Sequence, residues 1–174
     1  LWTLLLSIGA SVSFDLEFFS IAMGLVFLGF TLIGLLRVGY VAIFAFIAVY
    51  HVRVYATAGL ESSMFWALMV WMFIAVSENK TRLMTAISIL LFLCRPEGIL
   101  LWLLGGVVCQ NRRSYLIWSG GSLFLYLGWK FWYFGELLPN TYWAKGSEAR
   151  WEQGLRYLLS FWQMYFVTLL GFLY

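Results

Sequence analysis

After Glu17 the chain carries no charged residue until Arg37, and Leu16–Leu36 is almost wholly apolar. A transmembrane helix takes about 20 such residues, so this run already decides which solvent the chain folds in. It does not stand alone. Tyr40–Ala56, Leu60–Val76 and Tyr115–Phe134 are each long enough to span, and Leu155–Tyr174 opens a further span. Hydrophobic residues make up 63% of the 174 residues and charged residues only 11%. A soluble domain is about half apolar and about a quarter charged, and a chain with so little charge cannot cover a core in water. A soluble domain and a disordered chain are therefore both excluded. Two prolines and scattered glycines exclude a collagen-like or low-complexity chain. The expected fold is all-α: a polytopic transmembrane helical bundle of about six to seven membrane helices, one short hairpin among them. The chain starts at Leu1 without a basic leader and stops at Tyr174 inside an apolar run. It is accordingly expected to be a piece of one larger transmembrane domain, incomplete at both ends.

The shorter apolar segments set the topology. Leu1–Val12 is too short to span and reads as a helix at one interface, after which Ser13 or Asp15 is placed to cap the next helix. Leu83–Cys94 and Ile99–Cys109 meet at Arg95-Pro96-Glu97-Gly98, either as one broken span or as a tight hairpin. Charge separates the two. A hairpin puts Arg37, Lys80, Arg82, Arg112 and Arg113 on one side with only Glu78 against them. Asp15, Glu17, Glu61, Glu97, Glu136, Glu148 and Glu152 then fall on the other side, with Arg53, Arg95, Lys130, Lys145 and Arg150. Loops rich in Lys and Arg stay in the cytoplasm, so the hairpin makes the first side cytoplasmic, whereas a single span weakens the bias. The hairpin is the preferred reading. It brings four polar breaks to the outer face, Asp15–Glu17, Gly59–Glu61, Arg95–Gly98 and Gly135–Asn140, the last within residues 135–154, read as a polar, aromatic outer loop. A loop of that length is usually functional or disordered.

Net charge is +3, but the basic residues are dispersed and form no nucleic-acid patch. Cys94 and Cys109 lack zinc spacing and read as buried thiols, and His51 reads as an interfacial helix residue. Asn79-Lys80-Thr81 matches a glycosylation sequon on the side assigned to the cytoplasm. The chemistry is concentrated elsewhere. A charge at bilayer depth costs about 2.5–3.5 kcal/mol, and Arg95 and Glu97 both flank Pro96, where an ordinary turn would use Asn, Gly or Ser. Arg95 offers a fork suited to a phosphate; Glu97 is placed to cap the following helix. Glu61, after Gly59-Leu60, suits helix-terminus electrostatics and ligand binding equally well. In Gly135–Thr141, Glu136, Asn140 and Thr141 supply donors and acceptors, and Tyr142 and Trp143 follow at once. Aromatic rings there stack on sugars and also populate membrane interfaces. Lys145 suits a phosphate or a lipid headgroup.

The succession Leu1-Trp2-Thr3-Leu4-Leu5, Gly59-Leu60-Glu61, Arg95-Pro96-Glu97-Gly98 and Tyr133–Lys145 (YFGELLPNTYWAK) resembles the multi-spanning GT-C glycosyltransferases of bacteria. It is similar to the mycobacterial terminal arabinofuranosyltransferases and to the flagellar motor control proteins. The resemblance implies an enzyme of the bacterial cytoplasmic membrane that transfers a sugar from a polyprenyl-phosphate donor, usually with inversion, to a glycan or other acceptor outside. It implies that Arg95 and Lys145 meet the donor phosphate. Asn140, Thr141, Tyr142 and Trp143 would bind substrate, and Glu61, Glu97 and Glu136 would support catalysis by orienting hydroxyls, organising Arg95 or holding a divalent cation. The family's general base is an aspartate just before the stretch matching Leu1–Thr3, so this chain by itself is expected to be inactive. Where Glu136 stands the family often has Asp. The competing readings are a transporter or flippase of lipid-linked glycans and a non-catalytic membrane scaffold.

Overall fold

A computed structural model describes residues 1–12, 14–136 and 151–172, and every regular element among them is helical. They fall into two units, Leu1–Trp129 and Lys130–Tyr174. The first opens with α1 (Trp2–Ser11), α2 (Leu16–Val38), α3 (Tyr40–Ala48), α4 (Tyr50–Thr57) and α5 (Ser62–Ser77). The hairpin pair α6 (Thr81–Cys94) and α7 (Gly98–Val108) follows, and then α8 (Arg112–Tyr115), a π-helical turn at Leu116–Gly120 and α9 (Gly121–Phe134). The helix of the second unit is α10 (Trp151–Phe172).

The breaks follow local chemistry. Asp15 caps α2, its carboxylate accepting from the Glu17 and Phe18 amides at 2.9 and 3.1 Å; Ser13, the other candidate cap, lies outside the described residues. Gly59 follows α4 at φ +66, a left-handed conformation that a side chain resists. A Cβ on Gly59 would also collide with the Ser20 side chain of α2. This glycine thus turns the chain and lets α4 and α5 meet against α2.

α2 and α5 run antiparallel: Ser20 approaches Gly59 at one end, and Arg37 Nη1 stands 3.8 Å from Glu78 Oε1 at the other. Between these ends Trp71 donates its indole N–H to the Phe30 carbonyl at 3.1 Å. α6 packs on α5 and α7 folds back along α6, with Thr81 Oγ1 and Cys109 Sγ 3.6 Å apart. The segment 83–109 is therefore a hairpin rather than a broken straight helix. Met72, Ala75, Met84, Ile87, Leu91, Cys109 and Tyr115 form the core of this bundle.

The core also holds polar groups. Tyr115 Oη donates to the Trp102 carbonyl at 2.9 Å, which leaves Ser88 Oγ, 2.6 Å away, to donate to the tyrosine. Ser119, inside the π turn, accepts from Trp102 Nε1 at 2.7 Å and donates to the Tyr115 carbonyl at 2.6 Å. Outward faces are apolar instead: Phe18, Phe30, Phe44, Phe73, Leu100, Val107 and Phe124 are all exposed.

Two expected boundaries change. Tyr40–Ala56 is not one straight helix, because α3 and α4 meet at 79° across Val49. Val49 adopts an extended conformation (φ −69, ψ 113) where the sequence passes from the uniformly apolar YVAIFAFIA to YHVR, with its His and Arg. Residues 151–154, expected at the end of the 135–154 loop, are the first turn of α10, and 137–150 lie outside the described residues. Among the described residues, α2 alone is long and apolar enough to cross a membrane, and the bent pair α3–α4 passes the same test if counted as one span. α1, α5, α6 and α7 are shorter apolar helices.

Candidate functional site

The tip of the α6–α7 hairpin gathers the charges that its sequence made conspicuous. Arg95 is in extended conformation (φ −145, ψ 143), as the residue before a proline prefers, and this ends α6. Its amide still donates to the Leu91 carbonyl at 3.0 Å. The tip closes through Gly98 N to Arg95 O at 2.9 Å and Ile99 N to Pro96 O at 3.1 Å. Gly98 packs directly against the last turns of α6, where an added Cβ would lie 2.7 Å from the Phe92 amide nitrogen. Only glycine lets α7 start this close.

The close start aims Arg95 toward α5. Its Nε lies 3.6 Å from Glu61 Oε1 and 3.8 Å from Glu97 Oε2. Its guanidinium carbon sits 5.8 Å from the Phe65 ring centroid, within reach of a cation–π attraction. Both carboxylates occupy N-cap positions, Glu61 on α5 and Glu97 on α7, yet neither makes a side-chain cap. The capping role expected of Glu97 is thus not realised: its carboxylate turns to Arg95 instead. Both approaches are longer than a hydrogen bond, so the guanidinium is neutralised in charge while its five N–H donors make no hydrogen bond to a described residue. The Arg95 side chain is 38% exposed. An arginine in this state can take two oxygens of a phosphate without first breaking a protein hydrogen bond.

Leu1 belongs to the same region, its amino group donating to the Leu93 carbonyl at 3.0 Å. Ser63, the second residue of α5 and fully buried, has a hydroxyl with no hydrogen-bond partner among the described residues. Sequence reasoning missed Phe65, although its spacing of four from Glu61 puts both on one helix face.

Glu136 is exposed, directly after Gly135 at φ +73, in the second unit. Asn140, Thr141, Tyr142, Trp143 and Lys145 lie outside the described residues. Among the described residues no three His, Cys, Asp or Glu side chains gather as a metal site.

The opposite end of α5 carries a second cluster. Glu78 Oε2 is 2.6 Å from Lys80 Nζ, and Arg37 stacks over Trp71 with 5.0 Å from Cζ to the ring centroid. The Lys80 hydrogen bond, with the charges of Lys80 and Arg37, holds the Glu78 carboxyl below its ordinary range. The 16 residues of α5 separate the Glu61 and Glu78 ends by about 24 Å at the α-helical rise.

Comparison with protein-family models, curated proteins and solved structures finds no match for the chain. Fold and site therefore define a class by geometry alone: an all-helical chain with a membrane-length apolar helix and an arginine held between carboxylates at a hairpin tip.

Proposed function

We propose that the chain is part of a polytopic membrane glycosyltransferase of GT-C type, whose Arg95 cluster receives the phosphate of a polyprenyl-phosphate sugar on the outer face of the bacterial cytoplasmic membrane. One observation carries the reading: a half-exposed guanidinium, charge-paired by Glu61 and Glu97 but hydrogen-bonded to neither, at the tip of an apolar hairpin. Its location in a bilayer is supported by apolar faces turned outward around a core that contains Ser88, Ser119 and Thr31. It is also supported by clusters of charge at both ends of α5 but none along it. The excess of Lys and Arg at the Glu78 end makes that end cytoplasmic, which turns Arg95 outward. In this reading α5, α6 and α7 cross with α2 as a bundle, although each is shorter than α2.

The reaction is substitution at the anomeric carbon. The acceptor oxygen bonds to that carbon as the carbon–oxygen bond to phosphate breaks, and polyprenyl monophosphate leaves with the bonding electrons. Arg95 stabilises the charge growing on the phosphate, a preorganised electrostatic contribution, and the resemblance gives Lys145 the same role. Glu61 and Glu97 hold Arg95 in place and orient sugar hydroxyls. The acceptor proton passes to a carboxylate acting as general base. The resemblance puts that aspartate just before the stretch matching Leu1–Thr3, and Leu1 lies against Leu93 beside Arg95. The resemblance assigns substrate binding to Asn140, Thr141, Tyr142 and Trp143, and a supporting catalytic role to Glu136.

The test is transfer itself. A full-length protein containing this chain, supplied with a labelled polyprenyl-phosphate sugar and membrane acceptor, should transfer the label, and Arg95→Ala should lower the rate by roughly 100-fold or more, as loss of a transition-state donor does. Unchanged transfer by the variant removes Arg95 from the site. Transport of the intact lipid-linked sugar without transfer would favour a flippase.

A further inference from the structure

Between α2, α5 and α6 lies a wholly apolar groove of about 260 Å³ lined by Phe27, Phe30, Leu68, Trp71, Leu83 and Ile87. Trp71 ties the groove to charge: its indole bonds α2 through the Phe30 carbonyl, and its ring carries the Arg37 guanidinium at 5.0 Å. Leu83 follows Arg82 directly, and Lys80 starts the same helix turn. The contact of Thr81 with Cys109 brings the Arg112–Arg113 pair of α8 to this end as well. Glu78 neutralises one charge between Arg37 and Lys80, and no carboxylate among the described residues pairs with Arg82, Arg112 or Arg113. Four positive charges are therefore left in excess at the end of the bundle where Arg37 meets the groove through Trp71.

We infer that this groove is a binding site for an anionic phospholipid, with an acyl chain along Phe27, Trp71 and Leu83 and the headgroup phosphate among Arg37, Lys80 and Arg82. The complementarity of charge selects the occupant. An acyl chain gains little by exchanging bulk lipid for an apolar groove, since lipid tails are as apolar as the lining. Discrimination must come from the cations, and a surface Lys or Arg attracts an anionic headgroup strongly enough to count singly. A neutral lipid fills the groove but leaves the cations without a counter-ion. The Trp71 ring, stacked under Arg37 and bonded to α2, holds both parts of the site in register. This site lies at the other end of α5 from Arg95, about 24 Å away by helical rise, and needs only that the chain lie in a membrane; it does not depend on glycosyl transfer.

The experiment is native mass spectrometry of the whole chain, purified in detergent with equimolar phosphatidylglycerol and phosphatidylcholine of identical acyl chains. Wild type should retain phosphatidylglycerol at least about fivefold over phosphatidylcholine, the factor one membrane-proximal cation supplies. The triple variant Arg37→Gln, Lys80→Gln, Arg82→Gln should lose the preference. Leu83→Trp, which narrows the groove without changing charge, should lower retention of both lipids. Arg95→Gln, in the other cluster, should leave the preference intact. Equal retention of the two lipids by wild type overturns the inference and needs no variant to do so. A helical, monodisperse triple variant that keeps the preference overturns it too. Loss of sugar transfer with the lipid preference intact would bear on the Arg95 cluster alone.

Discussion

Arg95, Glu61, Glu97 and Gly98 show how much one residue's neighbours decide. Arg95 and Glu97 could be singled out in the sequence because charge beside a proline in an apolar hairpin is expensive. Their partner Glu61, 34 positions upstream in a different apolar run, could not be assigned, since N-terminal helix electrostatics accounted for it equally well. The structure assigns it by distance, 3.6 Å to Arg95 Nε. Gly98 is the residue that makes the approach possible, and nothing in its sequence context said so: the close contact is with the backbone of Leu91 and Phe92, which only the folded hairpin brings near. Gly98→Ala should therefore push α7 off α6 and destabilise the protein by about 1–3 kcal/mol, as overpacking does. Thermal unfolding in detergent would measure it; an unchanged midpoint would show that the hairpin tip has room the geometry denies.

The elements were largely legible because apolar runs and polar breaks alternate so plainly. α2, α5, α6, α7 and α9 lie within a few residues of the apolar segments that announce them. Two features were not legible. The bend at Val49 falls inside a continuous apolar run, and no proline or glycine marks it. The π turn at Leu116–Gly120 carries no sequence signal of its own; within it Ser119 accepts from Trp102 of α7 and donates to the Tyr115 carbonyl one turn back. Tyr115 is the centre of this arrangement, fully buried and joined to Ser88 on α6 and to the Trp102 carbonyl on α7. Tyr115→Phe keeps the ring and removes the hydroxyl, leaving the buried Ser88 and Trp102 groups without it. A loss of about 1–3 kcal/mol is expected. A double-mutant cycle with Ser88→Ala should show coupling between the two positions, and additive effects would contradict the network.

At the scale of the whole molecule the sparse charges organise the account. In the first unit most of them collect at the two ends of α5 and leave its middle apolar, a spacing of about 24 Å by helical rise against about 30 Å of hydrocarbon in a bilayer. One end is dominated by Arg37, Lys80, Arg82, Arg112 and Arg113, the other by an arginine between two carboxylates. The first is read as an anionic-lipid contact at the cytoplasmic face, the second as a phosphate site at the outer face. The two make separable demands: Arg95 variants should affect the polyprenyl donor and spare phosphatidylglycerol, and variants of the Arg37 cluster should do the reverse. The most direct measurement is equilibrium binding of polyprenyl monophosphate to the chain in phosphatidylcholine nanodiscs, wild type against Arg95→Gln. Wild type should bind saturably and the variant about tenfold or more weaker, the effect of a charged hydrogen-bonding partner lost. Equal affinities, or binding by neither, would contradict the assignment of the hairpin tip as a donor-phosphate site.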